Sequence, residues 1–502
     1  MRKYRKILRN RKARIERRLD PTKRWSDQPA PMLTASPIHY EMGDKAEAIT
    51  CGGLGAIHQM VRKIGLIDEI DRRLPLLKVH LPYHESDHVL NVCYNALVGG
   101  KCLEDIELRR QDATFLKALG AQRIPDPTTS GDFTRRFKHP DRIELLMDCI
   151  NVARQMVWRQ SKRTPFDCAL IDVDGTFAPT FGECKQGMDY SYKGIWGYHP
   201  LIVSLANTGE VLTLVNRPAS AVSHEGSASR IDDAIALVQP FAKRTCLRGD
   251  TDFSLTANFD RWSDHGDFVF GMDAHEKAVN IADCLPKWAW KRLKRKPKYG
   301  VATQKRRRPE NVKEQVVRDR EFENIRLISE DVAEVPYQPT KCRKTYRLVI
   351  VRKNLSVERG EATLFPDIRY FFYITTLRYR NPAKVVELAN GRCDQENVIE
   401  QLKNGVNAMR MPVDNLLSNW AYMVMTALAW NLKAWFALLV PDRGRSEELL
   451  RTEFRHFLNV IIQIPCQIIT KGRQIIYRVL GYNSWLSDFF STWERIRRLQ
   501  PA

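Results

Sequence analysis

Several features that would assign this chain to a familiar class are missing from it. Its 11 cysteines are scattered singly from Cys51 to Cys466, with no Cys-x-x-Cys pair and no histidine-rich partner spacing. That argues against a zinc ribbon or finger and against a disulfide framework, and it fits a reducing cytosol. The start of the chain, MRKYRKILRNRKARIERRL, holds no apolar run of the kind a secretory signal needs. The longest apolar stretch begins at Asn415 and is interrupted by Asn419, Asn431 and Lys433. It therefore predicts a buried helix rather than a membrane span. No internal repeat or low-complexity tract is present.

Acidic residues are the scarce charge. Lys and Arg number 80 against 59 Asp and Glu, a net +21. Such an excess points to a polyanionic partner, and nucleic acid is the commonest one. Over 502 residues, 43% hydrophobic content is enough for a soluble globular protein of several domains.

Changes of pattern divide the chain. Residues 1–45 read as a basic arm and linker, with twelve Lys/Arg against Glu16 and Asp20 in the first 24. Residues 46–160 have helical periodicity and are expected to form a DNA-binding domain. There Thr128 to Gly131 is expected to cap a helix after the break at PDPTTSG. From 161 to 273 the order is β-β-β-α-β-α-β, which predicts a mixed α/β sheet. Its first strand ends at Gly175, and a turn at Asn207-Thr208-Gly209 joins the next two. Residues 274–368 read as a β-rich insertion subdomain carrying the basic run PKWAWKRLKRKPKYGVATQKRRRP. Residues 369–440 resume the core, and 441–502 contain a hairpin turning at Lys471-Gly472.

The most informative stretch is NGRCDQENVIEQLKNGVNAMRMP, from Asn390 to Pro412. On a helix of about 3.6 residues per turn, Arg392, Glu396 and Lys403 share one face. Val398, Leu402 and Val406 form an apolar stripe beside them. One acid between two bases suits a divalent metal and a polyanion. Upstream, Asp174 ends one strand and Asp250 ends another, in LRGDTDFS. Acids at strand ends, joined by one from a flanking helix, can gather hard oxygen ligands around Mg²⁺. Two such ions support phosphoryl transfer. Asp172 and Asp174 are two apart and face the same side of a strand, so periodicity does not choose between them.

These residues resemble the DDE transposases of bacterial insertion sequences, in the group marked by the signature Tyr-x2-Arg-x3-Glu-x6-Lys. Arg392, Glu396 and Lys403 fit it, while Ala389 occupies the Tyr position. DVDGT followed by YSYKGIWGYHPL is similar to the first-aspartate region, and LRGDTDFS to the second. The likeness covers residues 165–440 well and the N-terminal third loosely. It implies an RNase H-like α/β core with a β-rich insertion before the catalytic glutamate. It also implies Asp174, Asp250 and Glu396 as catalytic metal ligands for Mg²⁺ or Mn²⁺, two ions in all. Asp172 is the alternative first ligand, and Asp252 a weaker rival to Asp250. Arg392 and Lys403 would hold DNA phosphates. The resemblance further implies double-stranded DNA as element ends and target, a homodimeric synaptic complex, hairpin excision and a nucleoid-associated cytoplasmic protein.

Within the basic run, Lys291, Arg292, Lys294, Arg295, Arg306, Arg307 and Arg308 are candidate phosphate contacts. Beside it, Trp288 and Trp290 read as subdomain core or as stacking platforms for an unpaired base. His199 and His224 are weaker candidates for proton shuttling.

Overall fold

The apolar run around Ala169 forms the middle of one large sheet. The computed structural model describes residues 4–20, 33, 38–40, 46–161, 163–180, 182–294, 329–355, 357–358, 361–362 and 367–500. Nine strands of these make one mixed sheet. In chain order they are β1 (Ala169–Gly175), β2 (Leu201–Leu205), β3 (Glu210–Val215), β4 (Thr245–Gly249) and β5 (Asp267–Met272), then β6 (Lys291–Arg292), β7 (Ser329–Tyr337), β8 (Tyr346–Asn354) and β9 (Ile368–Thr375). Across the sheet the order is β6-β7-β8-β9-β5-β4-β1-β2-β3.

Among the described strands of this sheet, only β1–β4 and β4–β5 are parallel pairs. Parallel neighbours need crossovers, and helices Ser227–Val238 and Phe259–His265 supply them. The two strands expected to carry aspartates therefore end at the same sheet edge. Apart from a two-stranded pair, Val357–Glu358 with Glu361–Ala362, the described strands of the β-rich insertion do not make a sheet of their own. Its strands β7 and β8 pair onward to β9, which pairs with β5, so they extend the main sheet.

The helices used below are α1 (Arg5–Arg18), α2 (Leu54–Lys63), α3 (Leu66–Arg73), α4 (Glu85–Leu97), α5 (Pro127–Thr134), α6 (Pro140–Gln160), α7 (Ser227–Val238), α8 (Pro382–Asn390), α9 (Cys393–Glu400), α10 (Leu416–Leu438) and α11 (Leu486–Arg497), besides several others. Gly65, at φ 72°, separates α2 from α3 within what reads as one helical run. The cap of α5 lies earlier than expected. Asp126 accepts from Thr129 N at 2.9 Å and Pro127 opens the helix, so Thr128 to Gly131 lie inside it.

Helix α10 is buried almost throughout and packs against α4, α6 and β3. Each buried Leu or Phe contributes roughly 2 kcal/mol, enough to offset the burial of the one ionisable Lys433. No helix among the described residues is long and apolar enough to cross a membrane.

A buried acid ties the helical region to the sheet. Glu210 on β3 accepts from Trp158 Nε1 of α6 at 3.0 Å and Trp435 Nε1 of α10 at 2.7 Å. It also accepts from Thr208 Oγ1 at 2.6 Å and pairs with Arg154 of α6 at 3.1 Å. One apolar cluster accordingly runs from Ile49 to Leu499. At the C-terminal end, β10 (Cys466–Lys471) and β11 (Gln474–Val479) form the expected hairpin, turning at Gly472 and Arg473. Strand Ala48–Ile49 adds to its edge, which local pattern did not indicate.

Candidate active site

Register brings two of the acids together. Along the parallel pair Ala169 lies opposite Thr245 and Asp172 opposite Arg248. One pleat further, the same register sets Asp250 beside Asp174 on the same face. Arg392 lies between them, its Nη1 donating to Asp174 Oδ2 at 3.0 Å and lying 4.0 Å from Asp250 Oδ2.

Burial pushes the Asp174 carboxyl up from its ordinary value to about 6. Arg392 opposes that rise, while Asp250 and Glu396 add to it. Asp250 is raised by the same causes, burial first, with Arg392 opposing and Asp252 reinforcing. Two acids and a nearby third thus share one negative field, which a cation relieves.

Asp172 has a different role. It is fully buried, and Arg248 grips it in a bidentate pair, Nε to Oδ1 at 2.6 Å and Nη2 to Oδ2 at 2.7 Å. Arg248 Nη1 also donates to Leu388 O at 3.1 Å, near the end of α8. A Cβ on Gly391 would lie 2.5 Å from that same Nη1, so a side chain there would collide with the clasp.

Glu396 is exposed in the first turn of α9. Its neighbour Gln395 anchors the helix, Nε2 donating to Asp172 O at 3.2 Å and Ile202 O at 3.1 Å. That clamp sets α9 over the strand ends. Arg392 occupies the N-cap position, and Val398, Leu402 and Val406 are buried as expected. The regular face expected through Lys403 is interrupted. Residues Gln401–Gly405 form a π-turn, with Val406 N donating to Gln401 O at 2.9 Å. Lys403 sits within it, half-buried, and burial holds its ammonium below the usual range.

Among the described residues, no three His, Cys, Asp or Glu side chains stand close enough to hold a metal as they are placed. The donor chemistry nevertheless fits a hard divalent ion. Carboxylate oxygens flank a single cationic nitrogen, and Arg392 supplies the charge that such an ion would bring.

The remaining candidates are dispersed. Lys291, Arg292 and Lys294 are exposed on and just after β6, whereas Arg295, Arg306, Arg307 and Arg308 lie outside the described residues. Trp288 is 83% exposed. Trp290 packs under the Arg352 guanidinium, 4.3 Å from the ring centroid, and stacks on Tyr370. His199 is buried against Phe177, its Nδ1 3.0 Å from Ala221 O, and burial lowers its pKa. His224 is exposed in the turn before α7.

Arg248 and Gln395 are site residues that local pattern did not reveal. For Arg248 the sole signal is its parity with Asp250 on a strand. For Gln395 there is none beyond its place next to Glu396.

No curated protein matches the chain. Among solved structures, a piggyBac transposase synaptic complex with hairpin DNA is similar at 11% identity, over 82% of this chain and 86% of that one, with a TM-score of 0.35. The family model described as transposase DDE domain group 1 matches residues 45–501, nearly the whole chain. This protein belongs to that family of DDE transposases.

Proposed function

We propose that the chain is the transposase of a bacterial insertion sequence, which binds its element's terminal inverted repeats, cuts beside them and joins the freed ends to target DNA. The observation that carries this reading is the juxtaposition of Asp174 and Asp250 at one sheet edge, with the Glu396 helix clamped over it by Gln395. In this reading the central strands form an RNase H-like core. Asp174, Asp250 and Glu396 hold two Mg²⁺ or Mn²⁺ ions. Asp172 is the buried partner of Arg248 and no ligand.

When bound, the ions supply an activated water or 3′-hydroxyl and stabilise the leaving oxygen. The chain's own residues do the rest. Arg392 exchanges its carboxylate partners for a DNA phosphate, and Lys403 adds a second cation on the same side. Lys291, Arg292 and Lys294 offer exposed charge to the duplex backbone. Residues 46–160 read the element ends, and two copies act in one synaptic complex.

The test uses a plasmid carrying the DNA that flanks the protein's own coding sequence. Asp174→Asn, Asp250→Asn and Glu396→Gln should each lower metal-dependent cleavage at least about 100-fold and leave end binding largely intact in a gel shift. Strand transfer retained by Glu396→Gln in Mg²⁺ would remove the assignment. A wild-type chain that binds ends without cutting them would make it a DNA-binding descendant instead.

A further inference from the structure

Helix α1 carries charge that its own stability does not explain. Its sequence, RKILRNRKARIERR, holds eight bases and one acid. Leu8, Arg11 and Ile15 form the half-buried stripe. Tyr4, just before the helix, stacks on Phe490 of α11 with centroids 5.0 Å apart, and Arg11 Nη1 donates to Gly481 O at 2.7 Å. These contacts fix which side faces outward. Lys6, Arg9 and Arg17 lie on that side, Arg5 and Arg14 on its flanks and Arg18 nearer the docked stripe, all of them exposed, while the acid Glu16 lies 3.5 Å from Lys12.

Like charges three and four apart, such as Arg5 with Arg9 and Arg14 with Arg18, destabilise a helix. Only a small apolar stripe offsets them. A polyanion laid along the outer face would turn that repulsion into attraction. The cationic surface also continues beyond α1. A groove of about 800 Å³ beside Tyr4 is lined by Arg62 of α2, Arg473 of the hairpin turn and Arg497 of α11 against the one acid Glu494, over an apolar floor.

We propose that α1, docked on α11 and the hairpin, forms a fixed cationic rail for the phosphate backbone of duplex DNA, independent of base sequence. The inference rests on the transposase reading and adds a surface to it. At about 1.5 Å per residue the helix runs about 21 Å, long enough to meet several phosphates. An acidic membrane surface fits less well, because an interfacial helix needs an outward apolar face. Here the exposed Ile7 lies nearer the docked stripe, and the small Ala13 is the apolar residue facing outward.

The test measures binding of the full chain to a duplex of arbitrary sequence, without metal, across a salt series. Wild type is compared with the combined Arg5→Gln, Lys6→Gln, Arg9→Gln, Arg14→Gln variant. The plot of log K against log salt should become shallower by about 3 to 4 in the variant. Replacing the three arginines by Lys, with Lys6 retained, should leave the wild-type slope, and thermal unfolding should not move.

An unchanged slope in the glutamine variant overturns the inference. So does loss of binding to phosphatidylserine vesicles with duplex binding intact, which would assign α1 to a membrane. Cleavage by the wild type together with an unchanged slope removes only the role of α1. Absence of metal-dependent cleavage with the slope shift present removes only the catalytic reading.

Discussion

Arg392 Nη1 lies 3.0 Å from Asp174 and 4.0 Å from Asp250, so one guanidinium neutralises two acids that the sheet forces together. A cation entering between those carboxylates competes with Arg392 for them. Replacing Arg392 by Gln should therefore tighten Mn²⁺ binding to the DNA-free protein about tenfold, roughly 1.4 kcal/mol, measured as free Mn²⁺ by electron paramagnetic resonance. Cleavage should fall in the same variant if, as proposed, Arg392 holds a DNA phosphate. Unchanged or weaker Mn²⁺ binding would show that Arg392 does not compete with the ion.

Burial raises both the Asp172 and the Asp174 carboxyls to about 6, so their responses to neutralisation should differ because Asp172 alone is the acceptor of a buried arginine. Asp172→Asn leaves Arg248 buried without its bidentate acceptor, and is expected to cost about 3–5 kcal/mol in denaturant unfolding. Asp174→Asn should not destabilise the fold at all. Burial raises the native Asp174 carboxyl to about 6, above its ordinary value of 3.8. Between those two values the native state binds more protons than the unfolded state, so stability falls as pH rises through that window. Asp174→Asn lacks this fall. Its stability advantage should grow from about pH 4 to about pH 6 and then level off, approaching roughly 3 kcal/mol. A large loss from Asp174→Asn with little from Asp172→Asn would reverse the two roles.

Lys433 offers a pH signature of its own, on a helix that carries none of the candidate site acids. It lies buried on α10, donates to Leu450 O at 2.8 Å and sits over the Trp430 ring. Burial lowers its pKa from 10.5 to about 7. Between those values the unfolded state holds the proton and the native state does not, so stability rises with pH across that range. Lys433→Met should flatten the rise and stabilise the protein at pH 7 more than at pH 10, by an amount of order 4 kcal/mol less the lost hydrogen bond. Parallel pH profiles for the two proteins would contradict this.

Glu210 should behave as a keystone between the helical region and the sheet. Glu210→Gln keeps a carbonyl for one tryptophan donor but leaves Arg154 charged and fully buried. The expected loss is about 3–5 kcal/mol, read by chemical denaturation. A loss below about 1 kcal/mol would mean that packing alone joins the two regions.

Much of the fold is visible in local pattern. The strand run ending at Gly175, the turn before Glu210, the buried helix after Asn415 and the hairpin at Gly472 all follow from short-range periodicity and turn chemistry. The extension of the sheet by β7 and β8 was hidden, because strand pairing is set by partners distant in the chain. The π-turn at Gln401–Gly405 was hidden as well. A helical pattern of apolar residues does not register one extra residue in a turn.

By itself the sequence determined the family and the expectation of its chemistry: strand-end aspartates, a glutamate flanked by bases, a large excess of positive charge and the Arg-x3-Glu-x6-Lys spacing from Arg392. Only the tertiary structure decided which aspartate faces Arg392 and which is tied up by Arg248. Both sit on one face of one strand, and parity cannot tell them apart. The difference comes from the register against β4, where Asp172 meets an arginine and Asp174 meets another acid.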